Sequence, residues 1–168
     1  RAVFTKAIAW GALQSSPMGA VKRAKLDIIG RLRYLSPDEE KRLRVALDAR
    51  EQQRRKGRAS FNAWRTARGY PSIPDYPGVY TDHMQPIVLL ALNTGLRRGE
   101  LLGLTWGDVD TTGAQLVVRG TEAKSGRTRY VPLNAEALAV LRAWCPDDAK
   151  SDAFVFAGGD AIGTLKHL

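Results

Sequence analysis

Thr94-Gly95-Leu96-Arg97-Arg98-Gly99-Glu100-Leu101-Leu102-Gly103-Leu104 is the stretch from which the rest of the chain can be placed. Gly95 breaks an apolar helix, and a second helix follows at once, from Arg97 to about Leu104. On that second helix Arg97, Glu100, Leu101 and Leu104 fall at i, i+3, i+4 and i+7, which is one face. The two leucines mark the face as buried, so an arginine at its N-terminal edge is expected partly out of water, oriented by Glu100 one turn away. A guanidinium fixed at the start of a helix suits a phosphate, because its fork bonds two oxygens at once. Spacing alone favours an ordinary i,i+3 ion pair on a helix surface, worth about 0.2–0.5 kcal/mol.

Upstream, Asp82 to Asn93 carries Met84, Ile87, Val88, Leu89, Leu90 and Leu92 and reads as a core helix. Tyr70-Pro71 to Pro77-Gly78 holds three prolines in a short span and predicts an irregular loop. Ser36-Pro37-Asp38-Glu39 is a helix start, with Ser36 as cap, Pro37 in the first turn and Glu39 completing a capping box. That helix runs through Leu43, Ala46 and Leu47, and the polar stretch from Arg50 to Gly69 either extends it or forms an exposed insertion. Residues 15–34 are polar and basic and read as a linker, while residues 1–14 place Val3, Phe4, Ala7, Ile8, Trp10 and Leu13 at helical spacing, ending near Gly11.

Downstream of Trp106-Gly107-Asp108 the pattern changes to strands, Gln115–Val118 and Thr128–Leu133, with Ser125-Gly126 at the turn between them. Asn134 caps a further helix through Leu138, Leu141 and Trp144, and Ala153–Phe156 is a short strand-like run. The expected fold class is α+β, mainly helical, with one small antiparallel β-sheet.

The chain has 168 residues, enough for one domain or one domain and a piece of another. At 44% hydrophobic and 26% charged it is neither collagen-like nor wholly disordered. Its net charge of +9 is unevenly spread: residues 1–65 hold 16 Lys and Arg against 6 Asp and Glu, whereas residues 66–168 hold 10 against 11. A basic block of this kind points to a polyanion, nucleic acid before membrane. The lone Cys145 forbids an intrachain disulfide and a multi-cysteine zinc site, and its helix-end setting predicts a buried, inert thiol. With only His83 and His167 besides, metal ligands are scarce and none is expected. No apolar run approaches a membrane span and no signal peptide is visible, so a cytoplasmic location is expected. The chain opens on Arg1 rather than Met and reads as an excerpt from something longer.

The second chemical candidate is the hairpin Glu122-Ala123-Lys124-Ser125-Gly126-Arg127-Thr128-Arg129. Lys124 stands beside the turn, and Arg127 and Arg129 alternate along the returning strand, so that both face one side. The pair fits a phosphate backbone, and equally fits charge placed on an edge strand to block aggregation.

Together these segments resemble the tyrosine recombinase (phage integrase) family. The stretch 94–104 followed by Trp106-Gly107-Asp108-Val109-Asp110 is similar to the family's first catalytic box, and Ala123-Lys124-Ser125-Gly126-Arg127-Thr128-Arg129-Tyr130-Val131-Pro132-Leu133 to its next block. Both come in the family's order. The resemblance implies that residues 1–14 end a core-binding domain, that 15–34 link it onward, and that 35–168 are part of a catalytic domain, truncated at its C-terminus. It also implies recombination of double-stranded DNA at specific sites by a tetramer, without cofactor. A tyrosine attacks a phosphodiester, arginines stabilise the charge on the phosphate, and a lysine protonates the departing 5′ oxygen. Carried across, Arg97 is the first catalytic arginine, Glu100 its support and Lys124 the general acid. Arg98, Arg127 and Arg129, with Lys22, Arg23, Lys25, Arg31 and Arg33 of the basic linker, are DNA-binding candidates.

The family's second box, His-x-x-Arg, then another His or Trp and the tyrosine, is not found. His167 comes too early, and none of Tyr34, Tyr70, Tyr76, Tyr80 or Tyr130 stands in the nucleophile's place; Tyr130 is expected to pack on the sheet. The fragment is therefore expected to bind DNA without cleaving it. The alternative is a non-catalytic DNA-binding protein on a recombinase scaffold.

Overall fold

The computed structural model describes residues 2–18, 21, 34–120 and 126–156. The chain divides into two compact units, Arg1–Ser36 and Pro37–Leu168. In the first, helix α1 spans Ala2–Ala9 and has no buried residue. It unwinds through a turn in which Gly11 takes the left-handed conformation and the Ala12 amide donates to Ala7 O at 2.9 Å.

The second unit runs α2 (Pro37–Thr66), α3 (Met84–Thr94), α4 (Arg98–Gly103), a 3-10 turn (Trp106–Asp108), β1 (Val109–Asp110), β2 (Gln115–Val118), β3 (Arg129–Pro132) and α5 (Ala135–Trp144). It is mainly helical with one small antiparallel sheet in the order β1-β2-β3. Pro37 opens α2 with its fixed φ, and Asp38, Glu39 and Glu40 put negative charge on the first turn, where the helix dipole favours it. Of the two readings for residues 50–69, helix extension is the one observed: α2 continues unbroken to Thr66.

The main core gathers Leu90 of α3, Leu96, Leu101 and Leu104 of the next helix and its flanks, Leu116 and Val118 of β2, Leu133, and Ala137 and Leu141 of α5. Val155 and Phe156 close it. A second cluster, Leu47, Leu89 and Val140 with Leu43, Met84 and Val88 against it, seats the first half of α2 on α3 and α5. Polar joints reinforce that seat. Arg44 forks onto Glu136 of α5, with Nη2 to Oε2 at 3.0 Å, and Glu136 also accepts from Asn93 of α3 at 2.9 Å. Asn134 caps α5 by accepting from the Ala137 amide at 2.8 Å.

Beyond Glu51 no residue of α2 is buried. The segment after the helix returns antiparallel along it and is clamped by its side chains. Arg65 donates to Pro71 O, Asn62 exchanges two bonds with Ile73, and Arg58 and Arg55 donate to Pro74 O and Gly78 O. The Thr81 amide donates to Glu51 at 2.7 Å, and Arg50 forks onto Asp82 at 2.9 and 2.6 Å. Asp82 is held at about 2 by that fork.

Three expectations are corrected. Tyr130 does not pack on the sheet but is 67% exposed: Arg129 and Val131 are the inward-leaning positions of β3, and alternation sends Tyr130 outward. Cys145 is exposed, because it sits past the last turn of α5 as its C-terminal cap. Ala153–Phe156 forms no strand but a single bridge, Phe154 to Thr105, beside which the Val155 amide donates to Leu104 O at 2.8 Å.

Gly95 ends α3 with φ 63°, and its amide donates to Ala91 O. A methyl group there meets no atom within 4 Å, so Gly95→Ala tests backbone strain alone. We expect a loss of about 1–2 kcal/mol, read as a lower urea midpoint at unchanged m-value; an unchanged midpoint would contradict the left-handed cap.

Candidate functional site

Glu100 is the third residue of α4, and the leucines on either side of its face draw it into the core. Its side chain is 1% exposed. A carboxylate in such a place must be fully bonded, and four donors meet it. The Arg97 amide reaches Oε2 at 2.8 Å and Arg97 Nη1 reaches Oε1 at 3.1 Å. Arg129, from β3, completes the set with Nη1 to Oε1 at 3.0 Å and Nη2 to Oε2 at 2.7 Å. The Arg129 fork, outweighing burial, brings the Glu100 carboxyl down to about 2, with the amide and side chain of Arg97 adding to it.

Arg97 is not within the helix. It is the residue that caps it, with extended backbone at φ −71° and ψ 154°. That conformation swings its side chain out, and it is 61% exposed, only partly out of water. One corner of the guanidinium is anchored on Glu100, and its remaining donors have no partner among the described residues. Two guanidiniums share one carboxylate, so the cluster keeps a net positive charge facing solvent. Such a fork can take two oxygens of a phosphate.

Arg98 is exposed on the first turn of α4, and Arg127 is exposed ahead of β3 rather than within it. Arg129 is thus not paired with Arg127 on one open face of a strand; it is turned inward onto Glu100. Lys124 lies outside the described residues, as do Lys22, Arg23, Lys25, Arg31, Arg33 and His167. The described flanks of the hairpin converge: Val118 pairs with Arg129, and the Gly120 amide donates to Thr128 Oγ1 at 3.1 Å. A Cβ on Gly120 would stand 2.7 Å from Gly126 O, so only glycine lets the two flanks close.

Residues that the sequence reading did not single out support this end of the sheet. Arg119, just past β2, donates to Asp108 Oδ1 at 2.6 Å. Burial resists ionisation of Asp108, yet the Thr105 hydroxyl and Arg119 together hold its carboxyl below the usual range. The Thr105 hydroxyl reaches Oδ2 at 2.6 Å. Asp108 was visible next to Trp106-Gly107, but its partner lies across a strand and no spacing rule reaches it. Among the described residues no group of three or more His, Cys, Asp or Glu could hold a metal ion, and no helix is long and apolar enough to cross a membrane.

Glu100 makes stability acid-sensitive in a defined direction. Its carboxyl is depressed in the folded protein from an ordinary 4.5 to about 2, so its contribution is complete above about pH 4.5 and fades as pH falls toward 2. We expect Glu100→Gln to lower stability at neutral pH and to reduce, without abolishing, the acid loss in that window, since Asp82 behaves likewise. Urea midpoints across pH 2–7 measure it; a variant as acid-sensitive as the parent would contradict the assignment.

Residues 77–162 match the phage integrase family. The tyrosine recombinase XerC of Xylella fastidiosa (strain 9a5c) is 45% identical over 56 residues, 33% of this chain and 18% of that protein. The tyrosine recombinase XerC of Xanthomonas axonopodis pv. citri (strain 306) is 40% identical over 73 residues, 42% of this chain and 23% of that protein. These matches span less than a quarter of the relatives' lengths. Among solved structures, XerA recombinase matches 95% of this chain and 45% of its own at 20% identity and TM-score 0.40. The Tn1549 transposon integrase in complex with a circular intermediate DNA matches 98% and 54% at 20% identity and TM-score 0.49. With more than half of its length matched by the family, and with the Arg97 and Arg129 segments inside that match, the chain belongs to the phage integrase family of tyrosine recombinases.

Proposed function

We propose that this chain forms part of a site-specific recombinase that breaks and rejoins DNA strands through a phosphotyrosine intermediate. The observation that carries the reading is the Arg97 guanidinium, anchored at one corner on buried Glu100 and with no partner for its other donors among the described residues. In the proposed reaction a tyrosine oxygen attacks the phosphorus of a phosphodiester. Arg97 takes the non-bridging oxygens as charge gathers on them, and preorganised donors aimed at developing charge are worth most in such a step. The 5′ oxygen leaves with a proton from Lys124. The phosphotyrosine bond conserves the energy of the broken bond, so rejoining needs no external energy and no cofactor. None of the tyrosines of this sequence matches the nucleophile's position, and we infer that the 168-residue chain by itself binds DNA without cutting it.

Arg129 takes a different part from the backbone contact that its place in the hairpin suggested. Forked onto Glu100, it ties the strand that follows Lys124 to the helix that follows Arg97. In this reading it positions both. Arg98, Arg127 and the basic residues Lys22, Arg23, Lys25, Arg31 and Arg33 serve the DNA backbone. The working assembly is a tetramer on double-stranded recombination sites in the cytoplasm of a bacterium, on behalf of a mobile element or prophage.

In the recombinase that contains this chain, Arg97→Ala is expected to lower strand cleavage by about 100-fold or more while changing DNA affinity little, measured on a nicked substrate that traps the covalent complex. Normal cleavage would remove Arg97 from the reaction. For the 168-residue chain, duplex affinity should fall steeply with salt, with a slope of about −0.9 per phosphate contact on a log–log plot. A flat response would contradict a backbone-borne interaction.

A further inference from the structure

The distal half of α2 and the segment clamped along it have no part in the proposed reaction. Gln52–Thr66 extends for about 22 Å at the rise of a helix with no buried residue. Residues 52–74 contain six Arg and Lys and no Asp or Glu.

Bonding separates these arginines from the others. Arg44, Arg50, Arg119 and Arg129 each meet a carboxylate. Arg55, Arg58, Arg65 and Arg68 donate instead to backbone carbonyls, those of Gly78, Pro74, Pro71 and Trp64. A carbonyl fixes a guanidinium without cancelling its charge. Arg54 alone among the arm's arginines meets a carboxylate among the described residues, Asp82 at 3.6 Å, and Glu51 and Asp75 flank the stretch. Arg55, Arg58, Arg65 and Arg68 form a row of cations fixed on carbonyls.

It also carries aromatic rings in the open. Phe61 and Trp64 lie with planes 6° apart and centroids 5.9 Å apart, and Trp64 and Tyr70 with planes 16° apart and centroids 6.3 Å apart. All three are about half exposed. Arg68 stands 4.3 Å from the centroid of Trp64, and Arg65 5.8 and 5.7 Å from those of Phe61 and Tyr70. Near-parallel rings interleaved with guanidiniums make a stacking platform inside a positive field.

A second copy of the same arm would bring like charge against like. A duplex would offer phosphates but keep its bases stacked within. An unpaired strand offers both anions and flat π faces. We propose that this arm binds single-stranded nucleic acid, with phosphates along the carbonyl-anchored arginines and unpaired bases against Trp64 and Tyr70. The proposal uses no residue of the Arg97–Glu100–Arg129 cluster and stands or falls separately from the recombinase reading.

The test uses the 168-residue chain with a short oligo(dT), a duplex of equal length, and heparin as a polyanion without bases. We expect oligo(dT) to quench tryptophan emission. Trp64→Leu/Tyr70→Leu should bind it about tenfold more weakly while leaving duplex and heparin affinities unchanged. Lys56→Ala/Arg68→Ala should lower the salt slope for oligo(dT) by about 1.4. Equal oligo(dT) affinity in the leucine variant, or equal losses for heparin and duplex, would overturn the proposal and leave a plain charged surface. Should the leucine variant fail to fold by circular dichroism, Trp64→Phe keeps a ring in place while removing the reporter; a quench undiminished in it, carried by Trp10, Trp106 and Trp144, overturns the proposal as well.

Discussion

A carboxylate enclosed by leucines is a liability unless every lone pair is answered, and Glu100 is answered from two separate parts of the chain. The capping residue of α4 supplies an amide and one guanidinium corner; β3 supplies a complete fork. Neither would suffice alone. The requirement reaches into the sheet, because strand alternation makes β3 present either its odd or its even residues to the core. A slip of one residue would bring Tyr130 to Glu100 and leave the charge buried without its fork. The register Val118 to Arg129 is thereby fixed by electrostatics as much as by Leu116 and Val131.

The same logic recurs at the joints between helices. Leu47, Leu89 and Val140 supply the apolar contact of α2 with α3 and α5, but such a contact is small and slides easily. Arg44 on Glu136, and Arg50 on Asp82, pin its two ends with forks whose geometry tolerates little displacement. Orientation rather than adhesion is what these pairs contribute, since partly exposed ion pairs add little net stability.

How far the sequence could be read follows from the range of each interaction. The break at Gly95, the cap at Asn134 and the periodicity of α3 and α5 are encoded within a few residues, and all were legible. The Arg97–Glu100 contact was legible too, being three residues apart. Arg129 was misjudged because its partner lies across the fold: a strand arginine bound for solvent and one bound for a buried carboxylate look the same in sequence. Tyr130 followed from the same uncertainty, since only the inward turn of Arg129 settles which face is which. The extent of α2 was ambiguous for another reason. Past Glu51 the helix has no apolar stripe to reveal its period, and it is held instead by side chains bonding to the segment that returns beside it.

The continuity of α2 gives this family member a mechanical property. Trp64 lies 17 residues beyond Leu47, about 25 Å along the axis, with neither proline nor helix break in between. Cross-bonding to residues 71–82 stiffens the span further. The helix is held on both sides of Leu47, by Arg44 on Glu136 and by Arg50 on Asp82, so the distal span projects from a fixed base as a stiff rod. That base is shared with α5 through Glu136, and α5 lends Ala137 and Leu141 to the same core in which Leu101 of the Glu100 helix is held.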